Sequence, residues 1–95
     1  MESNNTMKQI RGRRALVTGA SRGIGIHIAQ ALASEGVALV LTARNEPQLQ
    51  EVAKSLRDYQ VPIEIYVSDM ADHASLDRVI EQSTQQGQPI DLLIN

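Results

Sequence analysis

Three closely spaced glycines form the part of this sequence best suited to chemistry. Gly19, Gly23 and Gly25 lie in VTGASRGIG, residues 17–25, a stretch with one basic residue and no acid. Gly19 permits a sharp turn, Gly23 allows the backbone to approach a ligand closely, and Gly25 lets a helix pack tightly on a sheet. The free amide groups of a first helical turn attract anions, so the pattern favours a pyrophosphate site. The alternative is a turn that binds nothing, although three glycines at one corner cost backbone entropy.

Four short apolar runs and three stretches with helical spacing surround this loop. The apolar runs are bounded by glycine or proline and are typical of buried strands; they span 14–18, 37–43, 63–67 and 91–94. The helical stretches lie within 23–36, 45–59 and 72–87. Strands that alternate with helices of this length predict right-handed crossovers and a parallel sheet. The glycines then connect the first strand to the first helix, where such a pattern indicates nucleotide binding.

Apolar spacing predicts which face of each helix is buried. In the first stretch Ile24, Ile28, Ala31 and Leu32 share a face, so we expect the Ile24 side chain in the core. The other two stretches have comparable stripes, formed by Leu49, Val52, Ala53 and Leu56 and by Leu76, Val79 and Ile80. Asn45 is a candidate cap for the second helix.

Composition excludes several classes of protein. The 95 residues are 42% hydrophobic and 21% charged, as in a soluble globular domain, and the net charge of −2 argues against a nucleic-acid partner. The absence of cysteine excludes disulfides and thiol nucleophiles. Neither a signal peptide nor a transmembrane run is apparent, so we expect a cytoplasmic protein without a membrane partner. We expect residues 1–12 to form a flexible leader and residues 13–95 to form part of one domain.

Several motifs resemble those of the short-chain dehydrogenase/reductase family. TGASRGIG, residues 18–25, resembles its T-G-x-x-x-G-x-G fingerprint, and VSDMAD, residues 67–72, resembles the segment after its third strand. DLLIN, residues 91–95, resembles its fourth strand entering an N-N-A-G motif. The resemblance covers roughly residues 10–95. It implies an incomplete Rossmann-type, doubly wound α/β fold with parallel strand order 3-2-1-4, and a nicotinamide cofactor.

The end of the second predicted strand indicates which nicotinamide cofactor is bound. An NAD site places an acid there to hold the ribose 2′-hydroxyl, whereas this chain has Arg44 and no acid before Glu46. Arg44 and Arg22 can form charge-assisted hydrogen bonds with a 2′-phosphate, and Ser21 can add a hydroxyl donor. We therefore expect NADP, with two solvated surface arginines as the alternative.

The resemblance assigns roles to four further positions. It implies that the Ile24 amide contacts the pyrophosphate, that Asp69 and the Met70 backbone contact the adenine, and that Asn95 contacts the ribose. Together with the loop and the cationic positions, the expected cofactor-binding residues are Gly19, Ser21, Arg22, Gly23, Ile24, Gly25, Arg44, Asp69, Met70 and Asn95.

No catalytic residue or metal site follows from these residues. His27 and His73 have no partners at metal-ligand spacing, and neither Tyr59 nor Tyr66 lies in a Y-x-x-x-K arrangement. The family's Ser, Tyr and Lys follow its N-N-A-G motif, so we expect the 95 residues alone to be inactive. Two hypotheses stay open. One is a portion of an NADP(H)-dependent oxidoreductase that acts on a small carbonyl or alcohol substrate and whose complete form is a homo-oligomer. The other is a non-catalytic nucleotide-binding or interaction module.

Overall fold

The computed structural model describes residues 10–21, 23–69 and 73–94, which form one parallel sheet covered by helices on both faces. The strands are β1 (Arg14–Thr18), β2 (Ala38–Ala43), β3 (Ile63–Val67) and β4 (Leu92–Ile94). The helices are α1 (Ile24–Ser34), α2 (Glu46–Ser55) and α3 (His73–Ser83), with a short 3₁₀ turn at Arg57–Tyr59. The sheet order is β3-β2-β1-β4 and every pairing is parallel, which confirms the predicted order.

The register aligns the carboxyl ends of the strands. Thr18 of β1 pairs with Thr42 of β2, which in turn pairs with Tyr66 of β3. On the other side of β1, Val17 pairs with Ile94 of β4. Each strand therefore ends at the same side of the sheet, which we call the carboxyl edge, and the segments that follow the strands begin there.

The main apolar core lies between the sheet and helices α1 and α2. Alternate residues of the central strands point into it, because successive side chains of a strand face opposite sides of a sheet. Ala15, Val17, Leu39 and Leu41 are at most 1% exposed. Helix α2 contributes the stripe predicted from its spacing, with Leu49, Val52 and Leu56 all buried. Ile10 packs against the same core, and the Gly12 amide donates to the carbonyl oxygen of Gly36 in the turn between α1 and β2.

Helix α1 is buried along a different line from the one predicted. Its fully buried residues are Ala29 and Ala33, whereas Ile24 is 77% exposed and Ala31 is exposed. The prediction that the Ile24 side chain lies in the core is therefore wrong. The reason is close packing: Gly25, Ala29 and Ala33 are four residues apart, and such small residues let the helix approach β1 closely. The larger apolar side chains of α1 therefore lie beside this row of small residues.

A smaller and more polar layer lies between the other face of the sheet and α3. Its buried apolar cluster consists of Leu16, Val40 and Val79, with Leu76 and Ile80 partly buried around it. The buried polar residues of the described chain are Arg14, Thr42, Ser75 and Ser83. Arg14 and Thr42 share the strand face of Leu16 and Val40, and the two serines are on α3, so all four belong to this layer.

The assignment of the main core can be tested with one buried and one partly exposed leucine. Leu41 is fully buried in the main core and Leu93 is 47% exposed. We expect Leu41→Ala to lower the free energy of unfolding by about 2–5 kcal/mol, because it leaves a cavity. Leu93→Ala should cost about 1 kcal/mol, since less apolar surface is lost from the interior. Urea unfolding monitored by circular dichroism measures both. Equal losses would contradict the assignment of the core.

A second prediction concerns alkaline pH. Burial raises the pKa of Tyr66. The pKa is raised further by the hydrogen bond that the Tyr66 hydroxyl donates to Glu64 Oε1 at 2.9 Å and by the negative charge of Glu64. The positive charge of Arg14 acts in the opposite direction and lowers it. The folded state therefore holds the phenolic proton more tightly than the unfolded state does. This contribution to stability is complete below pH of about 10 and is lost as the pH rises through the folded value. Urea unfolding at increasing pH should show this decline, and Tyr66→Phe should reduce it. An identical decline in the variant would contradict the assignment.

Candidate functional site

The carboxyl edge brings together residues that are distant in sequence. Gly19 directly follows β1, Arg44 directly follows β2, and Asp69 comes two residues after β3. Because the strands end in register, these three segments begin side by side. The expected residues Arg22, Met70 and Asn95 lie outside the described residues. The other predicted cofactor-binding residues all lie at or next to this edge.

The glycine loop turns sharply and is attached to the neighbouring strand. Gly19 has φ of 64° and Gly23 has φ of 63°, values that side-chain-bearing residues rarely adopt. Between them Ala20 is fully buried, and its amide donates to the Thr42 carbonyl oxygen at 3.2 Å. No local sequence pattern predicts this attachment, because Ala20 and Thr42 are 22 positions apart. It holds the loop against β2.

Gly25 is needed for a different reason, the closeness of the backbone. A Cβ atom there would overlap the Gly19 carbonyl oxygen and lie 3.1 Å from the Gly19 carbonyl carbon and 3.2 Å from Ala20 Cα. These neighbours are backbone atoms, which cannot move aside as a flexible side chain does. The predicted role of Gly25 in tight helix packing therefore has a direct structural basis.

The first turn of α1 offers amide donors to a ligand. Its cap residue is Gly23, and no side chain makes a capping hydrogen bond or places an acid in this turn. No acid within this first turn therefore offsets the partial positive charge at the helix end. The exposed Ile24 occupies the first helical position. This arrangement suits an anion such as a pyrophosphate.

Arg44 is exposed on a short segment whose backbone is held at both ends. Before Arg44, the Ala43 carbonyl oxygen accepts a hydrogen bond from the Ser68 amide at 3.0 Å. After Arg44, the Asn45 side chain accepts from the Gln48 amide at 3.0 Å, which confirms Asn45 as the cap of α2. Glu46, the first acid after β2, lies in the first turn of α2, where it accepts a hydrogen bond from Gln50 Nε2 at 3.3 Å. The segment therefore presents a guanidinium and no carboxylate between β2 and α2.

The remaining described candidates complete the edge. Ser21 is half-buried within the glycine loop, and Asp69 is exposed after β3. Thr18 Oγ1 donates to the Ile94 carbonyl oxygen at 3.3 Å, which joins the ends of β1 and β4. Among the described residues, no group of three His, Cys, Asp or Glu side chains could hold a metal ion. None of the described helices is both long and apolar enough to cross a membrane.

Comparison with known proteins agrees with this architecture. The short chain dehydrogenase family profile matches residues 13–95. The chain belongs to the short-chain dehydrogenase/reductase family. It is 39% identical over 90 residues to an uncharacterized oxidoreductase of Staphylococcus saprophyticus, a match that covers 94% of this chain and 38% of that protein.

Solved structures of short-chain dehydrogenases and reductases share the fold. L-sorbose reductase from Gluconobacter frateurii, complexed with NADPH and L-sorbose, superposes with a TM-score of 0.84 at 37% identity, covering 90% of this chain and 33% of the reductase. An NAD⁺-bound xylitol dehydrogenase gives a TM-score of 0.84 at 31% identity, covering 90% of this chain and 33% of the dehydrogenase. The chain thus spans about a third of the length of these relatives, which include proteins with either cofactor.

Gly25 provides a test of the family's close loop packing. In an ordinary helix, Gly→Ala gains about 0.8–1.0 kcal/mol of stability. Here we expect Gly25→Ala to lower the free energy of unfolding by about 1–3 kcal/mol, as overpacking does, because the new methyl group overlaps Gly19. His27→Ala is the control, since His27 is exposed on the same helix and alanine is the better helix former. Urea unfolding measures both, and a stabilising Gly25→Ala would contradict the packing.

Proposed function

We propose that this chain is the NADP(H)-binding portion of a short-chain oxidoreductase. The proposed reaction is hydride transfer between NADP(H) and the carbon of a small carbonyl or alcohol substrate. The observation that carries the choice of cofactor is the segment after β2, where Arg44 is exposed on a fixed backbone and the first acid, Glu46, belongs to α2. An NAD site needs a carboxylate at this position.

The charge of the 2′-phosphate explains why an arginine suits this position. A guanidinium presents several N–H donors in one plane and stays charged at all working pH values, so it can form charge-assisted hydrogen bonds with phosphate oxygens. Arg44 lies at the carboxyl edge, directly after β2 and beside the loop that contains Ser21. We assign Ser21 and Arg22 to the same phosphate, as the sequence pattern predicts.

Other residues of the chain suit the remaining parts of the cofactor. The amides of Gly23 and Ile24 lie at the start of α1, where no side chain caps the helix, and suit the pyrophosphate. We assign Asp69 and Met70 to the adenine and Asn95 to the ribose, following the family resemblance. Bound NADP(H) supplies or accepts the hydride, while these residues hold and orient its adenosine and phosphate groups.

We propose that the 95 residues bind the cofactor without catalysing hydride transfer. General acid–base help at the substrate oxygen is typically worth about 10²–10⁴-fold, and neither tyrosine of the chain is placed to give it. Tyr66 lies in β3, where its hydroxyl donates a hydrogen bond to Glu64, and Tyr59 lies in the 3₁₀ turn after α2. In the family the acid–base group belongs to a later Ser-Tyr-Lys set, and we propose that the complete oxidoreductase is a homo-oligomer.

Reversing the charge at position 44 tests the cofactor assignment. Arg44→Asp should weaken NADPH binding and favour NADH, because a charge-assisted contact worth about 1.5–3 kcal/mol is lost. The ratio of NADPH to NADH affinity should therefore fall about tenfold or more. Isothermal titration calorimetry or fluorescence titration measures both dissociation constants.

The control for Arg44→Asp is Arg57→Asp. Arg57 is also exposed and undergoes the same change of charge, but it lies beyond the other end of α2. In Arg57→Asp the ratio of NADPH to NADH affinity should equal that of the wild-type chain. An unchanged ratio in Arg44→Asp, or an equal fall in both variants, would show that Arg44 does not recognise the 2′-phosphate.

Turnover assays test the second half of the proposal. The purified chain, mixed with NADPH and a panel of ketones and aldehydes, should leave NADPH absorbance unchanged relative to buffer. The physical reason is that neither Tyr59 nor Tyr66 is placed to donate a proton to the substrate oxygen. Reproducible oxidation of NADPH that depends on both chain and carbonyl compound would overturn it.

A further inference from the structure

A buried arginine joins several elements at the end of the sheet opposite the nucleotide site. Arg14 is the first residue of β1 and is only 6% exposed. Its Nη1 donates to the Ser83 carbonyl oxygen at 2.9 Å and to the Gln88 carbonyl oxygen at 2.6 Å. Its Nη2 donates to Glu64 Oε2 at 2.5 Å. One guanidinium thus contacts the end of α3, the segment that leads to β4, and strand β3.

These contacts satisfy a charge that would be costly to bury alone. An isolated buried cation is strongly unfavourable, whereas one that is paired and hydrogen-bonded can be tolerated. Glu64 supplies the countercharge, and its other carboxylate oxygen accepts from Tyr66. Ser83 is the last residue of α3, so its carbonyl lies at the negative end of the helix dipole, where a cation is favourable.

Helix α3 contributes few buried apolar side chains to its contact with the sheet. Its buried residues are Ser75, Val79 and Ser83, so Val79 is the one fully buried apolar side chain among its described residues. Helix α2, in contrast, buries Leu49 and Val52 and continues into buried Leu56. The hydrogen bond from Arg14 to the Ser83 carbonyl oxygen therefore supplements a small apolar contact between α3 and the sheet.

Arg14 contacts β3 and α3, and Asp69 lies on the segment that connects these two elements. Strand β3 ends at Val67, Asp69 follows, and α3 begins at His73. Arg14 is hydrogen-bonded to Glu64 of β3 and to Ser83 of α3, so a single side chain of β1 contacts both elements. We propose that Arg14 is a positioning residue for the adenine end of the cofactor site and acts through β3 and α3 on Asp69. This inference rests on the proposed function.

Arg14→Met tests the proposal, because it keeps a long side chain and removes every donor. Amide hydrogen exchange should become about tenfold faster or more in α3, since hydrogen bonds from a charged donor are lost, while α2 exchanges at its original rate. Arg13→Met is the matched control. Arg13 is the adjacent residue, with its side chain 58% exposed and 3.5 Å from Asp91 Oδ1, and its loss should leave α3 exchange unchanged.

Two probes separate positioning from general destabilisation. One probe, 2′-phospho-ADP-ribose, is the cofactor without its nicotinamide and would contact both the Asp69 region and the glycine loop between β1 and α1, whereas inorganic pyrophosphate would contact the glycine loop alone. We expect Arg14→Met to weaken 2′-phospho-ADP-ribose by about threefold to thirtyfold, the range of indirect coupling effects, and to leave pyrophosphate unchanged. NMR titration of the 95-residue chain measures both. Arg14→Lys, which retains the charge but reaches fewer acceptors, should show a smaller loss.

The outcomes distinguish this inference from the proposed function. If the wild-type chain binds neither probe, the proposed function is wrong and the inference falls with it. If the wild-type chain binds 2′-phospho-ADP-ribose and Arg14→Met binds it equally well, only the inference is wrong. Equal weakening of both probes, or loss of the folded core in both Arg14→Met and Arg14→Lys, would show that Arg14 has a structural role alone.

Discussion

The close approach of α1 to β1 is the constraint on which the site depends. Gly25 lies so near Gly19 that a methyl group would overlap backbone atoms, and Ala29 and Ala33 continue the same line of small residues. This contact places the first turn of the helix directly above the end of the strand. Because Gly23 carries no capping side chain, the amides of that turn face a possible ligand. The proposed anion site is therefore a consequence of helix–strand packing.

The two faces of the sheet are held together by different interactions. The face covered by α1 and α2 is almost wholly apolar, so its stability comes from removing side chains from water. The face covered by α3 has a smaller apolar cluster and relies on the directional contacts of Arg14. Hydrogen bonds fix relative position more narrowly than apolar contacts do. This difference is why we assign a positioning role to Arg14 of β1, which acts through β3 and α3.

Local patterns predicted the elements well, because they depend on neighbouring residues. The four strands lie within or close to the predicted runs, Asn45 caps α2, and Leu49, Val52 and Leu56 are buried as their spacing indicates. The buried line of α1 was predicted wrongly, since periodicity favours large apolar residues and the actual contact selects small ones. Ala20 is 22 positions from Thr42 in sequence, and Arg14 is 50 to 74 positions from the residues that its side chain contacts. No local pattern encodes such contacts.

The sequence by itself determined the family, the parallel α/β order and the chemistry of the edge: glycines after β1, an arginine without an acid after β2, and an aspartate after β3. These follow from residue types and short spacings, which local conformational preferences translate directly into turns and strand ends. Only the tertiary structure decided which residues meet. It aligned the carboxyl ends, exposed Ile24, and buried the Arg14 guanidinium among β3, α3 and the segment before β4. The physical reason is that such contacts depend on the packing distances between elements, which are set by the whole core.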